Sequence, residues 1–175
     1  MATQQVSANL VISLEGIGAR VNCIFVFIGK GEGAGKNEIL IRHSAPDTMA
    51  RLRSRSILTD SSRHDIRCIL QIGKRAVHAD TYFSHHALLL SPNARAVAVP
   101  SLEIQTDDVK AGHATTVGPL SEDTLSYLHS RGLGMYEATQ LLVHGFITAD
   151  ASYILDAKTR EQFLSVCSKE VYDLA

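Results

Sequence analysis

Asn22-Cys-Ile-Phe-Val-Phe-Ile28, Gly29-Lys-Gly-Glu-Gly-Ala-Gly-Lys-Asn37 and Glu38-Ile-Leu-Ile41 follow one another without a break, and the nature of the third piece decides the fold. The first piece has strand length and the β-branched and aromatic content of a strand. The glycines that follow expose backbone N–H groups of the kind that cradle phosphate oxygens. A Walker loop, however, needs a Gly, four residues, then Gly-Lys and Ser or Thr. Here Lys30 stands at the first Gly position and Asn37 follows Lys36. The looser dinucleotide spacing Gly29-x-Gly31-x-x-Ala34 is met, but that fingerprint requires a helix next. Glu38–Ile41 reads as another strand, so the glycines form a turn between strands and the nucleotide-binding readings drop out.

The same texture extends in both directions. From Ala8 to about Gly118 the apolar residues come in short bursts, at Asn9–Leu14, Asn22–Ile28, Glu38–Ile41, Leu52–Leu58, Ile66–Ile72, Ala87–Leu90, Ala94–Val99 and Leu102–Ile104. Turn-forming residues separate them, as in Ala45-Pro-Asp47 and Ser91-Pro-Asn93. Many short strands with frequent turns and no strict short repeat fit a sandwich, a barrel or a β-solenoid, and periodicity does not choose among them.

After Pro119 the pattern becomes helical. Ser121-Glu-Asp-Thr-Leu-Ser-Tyr-Leu-His-Ser-Arg-Gly132 has a Ser cap, acids in the first turn and Gly at the stop, with Leu125 and Leu128 facing inward. A second helix is expected from Met135 to Phe146, with Ala138, Leu141, Leu142 and Phe146 on one face. A third should run from Thr159 to Leu174, with Phe163, Leu164, Cys167 and Val171 at helical spacing. The expected organisation is a β core over 1–118 and a helical subdomain over 119–175.

At 175 residues, 45% hydrophobic and 20% charged, the chain has an ordinary globular composition, which excludes wholesale disorder, collagen and coiled coil. Its net charge of −1 divides unevenly: residues 1–118 hold 13 Lys+Arg against 10 Asp+Glu, and residues 119–175 hold 4 against 8. Neither half has the basic density that makes nucleic acid the default partner. Three scattered cysteines, Cys23, Cys68 and Cys167, form no disulfide framework. The start lacks signal-peptide character and no apolar run reaches membrane-span length. The expected location is the cytoplasm, or an organelle after removal of a transit peptide.

His78, His85 and His86 are the densest histidine group, but neighbours on a strand face opposite ways, so His85 and His86 are poorly placed to share an ion. Cys68 lies in an apolar run, where a buried thiol is the default. Arg51, Arg53 and Arg55 alternate along one strand face, which suits either an anionic partner or a solvated surface. No nucleophile elbow or zinc-protease motif is present, and Glu103, Asp107 and Asp108 have no visible acid–base partner. A carbohydrate-active enzyme would need a carboxylate groove that does not assemble from these residues.

Leu102-Glu-Ile-Gln-Thr-Asp-Asp-Val-Lys-Ala-Gly-His-Ala-Thr-Thr-Val-Gly118 resembles the late-core signature of the SufB/SufD family, scaffold proteins of Suf-type iron–sulfur cluster assembly, with SufD the nearer side. The likeness continues through Tyr127-Leu-His-Ser-Arg-Gly132 and Glu137-Ala-Thr-Gln-Leu-Leu-Val-His-Gly-Phe146. It extends back through Leu88-Leu-Leu-Ser-Pro92, Ser56-Ile-Leu58 and His43-Ser-Ala-Pro-Asp-Thr48. The resemblance implies a mainly β protein: a right-handed parallel β-helix followed by a small C-terminal α-helical subdomain.

It also implies a non-enzymatic scaffold that forms a homo- or heterodimer through the β-helix, with a SufB-like or like subunit. A SufC-like ABC-type ATPase would be recruited through the helices, with Arg131, Gly132, Glu137, Ala138, Leu142, Gly145 and Phe146 as the contact residues. His113 is the expected cluster-proximal or metal-ligating residue. SufD-like proteins carry cysteine where this chain has Ala111, and the SufB-type cysteine falls near Ala94, so the soft thiolates are missing. The expectation is therefore no stably bound cofactor in the isolated chain, a transient iron–sulfur cluster only in a partner complex, and no nucleic acid or membrane partner. The alternative is a standalone β-helix that oligomerises and has no iron–sulfur role.

Overall fold

A computed structural model describes residues 5–172. Eight strands of ten residues come first: β1 (Gln5–Leu14), β2 (Arg20–Gly29), β3 (Ala34–His43), β4 (Met49–Leu58), β5 (Arg63–Ile72), β6 (Asp80–Leu89), β7 (Arg95–Ile104) and β8 (Lys110–Pro119). Every pairing is parallel and joins each strand to the next but one, giving two sheets in the orders β1-β3-β5-β7 and β2-β4-β6-β8. Each coil of the chain therefore contributes one strand to each sheet, and residues 29 to 32 apart lie in register. This is a parallel β-solenoid of about four coils, which resolves the choice that strand texture alone left open.

The interior follows from alternation. In β3, β4 and β5 every second residue is buried, and these residues stack in register along the axis. Leu14, Ile39, Ile41, Leu52, Ile66, Cys68, Leu70 and Phe83 form the main core. Each coil buries its apolar side against the coils above and below, so no single strand needs a long hydrophobic run.

The corners stack as well. Gly18, Asp47 and His78 occupy equivalent corners and all adopt left-handed backbone. Gly18 N–H donates to the Pro46 carbonyl, Asp47 N–H to Val77 and His78 N–H to Asp108, which carries the ladder through the turns. The glycine-rich segment is the turn between β2 and β3, as its composition predicts, with a strand and no helix after it. Gly31 supplies the left-handed residue of that turn. Gly35 lies so close beneath the Phe27 ring that a methyl group there would overlap it.

Three strand readings need correction. Ala94–Val99 and Leu102–Ile104 are one strand, β7, running straight through Pro100; β7 is the edge of its sheet, where proline is tolerated. Lys110–Pro119 is a full strand although it lacks an apolar burst, because its partner β6 supplies the pairing and its inward positions Ala111, His113 and Thr115 are small or polar, leaving Val117 as the one large apolar residue on that side. Likewise β6 starts at Asp80, well before Ala87, with Thr81, Phe83 and His85 turned inward.

Three helices follow: α1 (Glu122–Ser130), α2 (Met135–Thr148) and, after a short 3-10 turn at Ala151–Tyr153, α3 (Ala157–Tyr172). Ser121 caps α1 by accepting the Thr124 N–H, and Gly132 beyond its end has φ +93°. Leu125 and Leu128 are the half-buried positions of α1, as expected. The reading of α2 is corrected at Leu141, which is 54% exposed. Val143 and Ile147 join Ala138 in the buried stripe and rotate its centre away from Leu141. In α3, Cys167 and Val171 are buried; the expected end at Leu174 lies outside the described residues. Val143, Ile147, Cys167 and Val171 pack with Ile57 and Leu88 of β4 and β6, so the helices cover part of the outer face of the second sheet.

Candidate functional site

His113 sits on β8 in the column Cys23, Leu52, Phe83, His113, whose members turn toward the solenoid interior. The first three are partly or fully buried, whereas His113 is exposed because, among the described residues, no coil stacks beyond β8. The end of the solenoid around it is apolar and open: Leu102, Ile104 and Val117 are 38, 43 and 47% exposed. Ala111 shares the inward side and packs toward Ile72, Ala76 and Ala79. Ala94 is fully buried.

Among the described residues, no group of three or more His, Cys, Asp or Glu side chains is placed to hold a metal ion. One imidazole with alanine two residues away does not make a complete donor set for a metal cluster. The donors among the described residues therefore do not fit one. Cys23 is half-buried and Cys68 and Cys167 are buried. Burial pushes the Cys68 thiol up to about 12 and that of Cys167 to about 11, so neither is a ready thiolate.

The other histidines have structural roles. His85 points into the core and His86 outward to Thr116, the opposite orientations that strand geometry requires. His78 spans a corner, with Nδ1 3.1 Å from Asp47 and Nε2 3.0 Å from Asp108. His64 is fully buried between Ser56 (Oγ to Nδ1, 2.6 Å) and Asn37 (Oδ1 to Nε2, 2.6 Å), and its ring stacks on Phe27 at 4.2 Å. The residue types match a Ser–His–Asn catalytic array, but all three are sealed from solvent, so the array is a satisfied polar rung of the core. His85 Nδ1 lies 3.0 Å from Ser54 Oγ. Desolvation holds both His64 and His85 down at about 4, so both are neutral at pH 7.

Arg51, Arg53 and Arg55 do share the outer face of β4, but partners within the chain take their charges. Arg51 donates to the Asp80 carboxylate at 2.5 Å. Arg55 donates to Asp150 at 2.7 Å, and Arg53 lies 3.9 Å from the same carboxylate. The Arg53 guanidinium stacks 3.5 Å over Tyr153, and Arg55 lies 4.8 Å from Phe146. Arg53 and Arg55 thus pin the helical subdomain to the sheet, while Arg51 ties β4 to β6. Asp150, Asn37 and His64 escaped the sequence reading because each acquires its meaning from residues 8 to 95 positions away.

The expected partner-contact residues divide by accessibility. Arg131, Gly132, Glu137 and Gly145 are exposed, Leu142 is half-buried, Ala138 is fully buried and Phe146 lies half-buried beneath Arg55. Arg131 stacks over Tyr127 at 5.2 Å. With Tyr127, Met135, Tyr136 and Leu141 also exposed, α1 and α2 present a mixed apolar and charged surface. No helix among the described residues is long and apolar enough to cross a membrane.

Comparison with known proteins agrees with this architecture. A family model described as SUF system FeS cluster assembly, SufBD core domain, matches residues 1–146. The chain is 33% identical over 175 residues to an iron–sulfur cluster assembly SufBD family protein of Mycobacterium leprae, covering 95% of this chain and 44% of that protein. It is 31% identical over 146 residues to the iron–sulfur cluster assembly protein SufD of Bacillus subtilis (83% of this chain, 33% of the relative). With SufD of Escherichia coli the identity is 27% over 135 residues (74% and 32%). The chain thus spans less than half the length of each of these relatives.

Proposed function

The chain belongs to the SufBD family, and from that premise we propose that it is a non-enzymatic scaffold subunit of Suf-type iron–sulfur cluster assembly. It pairs with a SufB-like or like subunit through the last solenoid coil and recruits a SufC-like ABC-type ATPase through α1 and α2. The observation that carries this reading is the uncovered end at β7 and β8, where Leu102, Ile104 and Val117 remain exposed around His113. Exposed apolar residues gathered at one end of a solenoid favour burial against a second protein. The exposed Arg131, Gly132, Glu137 and Gly145 beside Leu141 offer the ATPase a separate surface.

The cluster in this reading is cargo. His113 supplies one donor at the subunit seam and the partner supplies the others, since this chain lacks thiolates at 94 and 111. The site of action is the cytoplasm or an equivalent organellar compartment.

Co-expression with a Suf-type ABC ATPase and a SufB-like subunit, followed by affinity capture and mass determination by light scattering, tests the reading. A stoichiometric complex is expected, with His113→Ala lowering its iron and sulfide content and leaving its mass unchanged. A lone homo-oligomer that captures neither protein would replace the scaffold by a self-associating module.

A further inference from the structure

Among the described residues, β8 is hydrogen-bonded to a single strand, β6. Lys110 N–H donates to Ala79, so the even residues of β8 turn their main-chain groups to β6. Their side chains lie on the outer face of the sheet, opposite to His113. Of these, Gly112, Ala114 and Gly118 carry nothing that can hydrogen-bond. Thr116 does: its Oγ1 lies 2.7 Å from His86 Nδ1, the one side-chain hydrogen bond that β8 makes among the described residues.

His86 in turn stands beside Arg55, its register partner on β4, and both side chains lie on that same face. Arg55 Nε is held 2.7 Å from Asp150, just beyond the end of α2. A row of four residues, Asp150, Arg55, His86 and Thr116, therefore crosses the sheet from the helices to the strand that bears His113. Burial and the Arg55 charge hold the half-buried His86 imidazole below its ordinary value, and the Asp150 charge acts the other way. The neutral ring keeps one nitrogen able to accept. A guanidinium cannot shed its charge, so Arg55 without its carboxylate must find another acceptor. The imidazole on the neighbouring strand, about 4.8 Å away along the sheet, is the next one in the row.

We infer that this row is a two-position relay. With Asp150 in place, Arg55 is engaged and His86 holds Thr116. When Asp150 is withdrawn, the freed guanidinium takes His86 as its acceptor and Thr116 is released, which loosens β8 three residues from His113. The inference rests on the scaffold reading for its use, because it ties the surface of α1 and α2 to the strand of His113. Its geometry belongs to this chain alone. His86 is a positioning residue here.

Residue-resolved amide exchange on the isolated full chain tests the relay without any partner, so its failure would leave the scaffold reading standing. Asp150→Ala should speed exchange at Gly112 and Ala114 roughly three- to tenfold relative to Ile66 and Leu70 of β5, the measure of one hydrogen bond lost. Thr116→Val, which removes the same bond directly, should have a similar effect, and Asp150→Ala should add nothing to it. Adding Arg55→Met to Asp150→Ala removes the competing guanidinium and should return Gly112 and Ala114 to their original rates. If Asp150→Ala does not fold, Asp150→Asn should give a smaller change of the same sign, again absent beside Thr116→Val. Unchanged exchange on β8, additive effects of the position 150 and Thr116→Val variants, or no recovery with Arg55→Met would each overturn the relay.

Discussion

Arg55 Nε donates to Asp150 Oδ2 at 2.7 Å, joining a solenoid strand to the end of α2 across 95 residues of chain. Both side chains are largely removed from solvent, and Arg53 leans on the same carboxylate. Two guanidiniums, Arg53 over the Tyr153 ring and Arg55 over that of Phe146, thus share one anion where the helices meet the sheet.

Removing that anion should therefore be costly. Asp150→Ala leaves two largely covered cations without a counter-charge; breaking a fully buried pair costs roughly 3–5 kcal/mol, and about half of that is expected here because both guanidiniums keep some contact with water. Urea unfolding is expected to show a midpoint lowered in proportion, with Asp150→Asn less damaging because its carbonyl oxygen still accepts from Arg55. A midpoint within error of wild type for Asp150→Ala would show that the latch contributes nothing.

The histidine rungs make the core acid-labile. His64 and His85 are held at about 4 by desolvation, below the ordinary value of 6.5. Between these values the unfolded chain binds protons that the folded chain refuses, so stability is full above about pH 6.5 and falls as pH drops toward 4. Each site contributes on the order of 3 kcal/mol to that fall. Burial lowers His43 in the same direction. Unfolding free energies measured at pH 7.5 and pH 4.5 should differ, and the His64→Gln/His85→Gln variant should show a much flatter profile. Equal pH dependence in that variant would assign the effect elsewhere.

Gly35 is required for packing. A methyl group there overlaps the Phe27 ring and comes within 3.0 Å of His64 Cδ2. Overpacking of this kind costs about 1–3 kcal/mol. Gly35→Ala should lower the thermal midpoint, and adding Phe27→Leu should restore part of the loss, giving a non-additive double-mutant cycle. Strict additivity would mean that the two positions do not touch.

The difference between the legible and the illegible parts of the chain is one of range. Strand–turn texture, the rejection of a phosphate loop at 29–37, the Ser121 cap and the Gly132 stop all follow from neighbouring residues, because alternation, capping and left-handed backbone are local properties. Family motifs added the solenoid and marked His113. Strand β8 lacked a signal of its own, since pairing with β6 makes it a strand. Leu141 was misread for a related reason: which face of α2 is inward depends on where the sheet lies.

The amino-acid sequence by itself determined a β core followed by capped helices, with no thiolate at 94 or 111 and no nucleotide loop. Only the tertiary structure decided which strands stack and that the arginine row of β4 is neutralised by Asp80 and Asp150. It also decided that His64 is sealed between Ser56 and Asn37 while His113 is left uncovered. The physical reason is that a parallel solenoid joins residues about one coil apart through main-chain bonds that any side chain can make. The sequence records each coil's inside and outside, and stacking alone creates the contacts between coils.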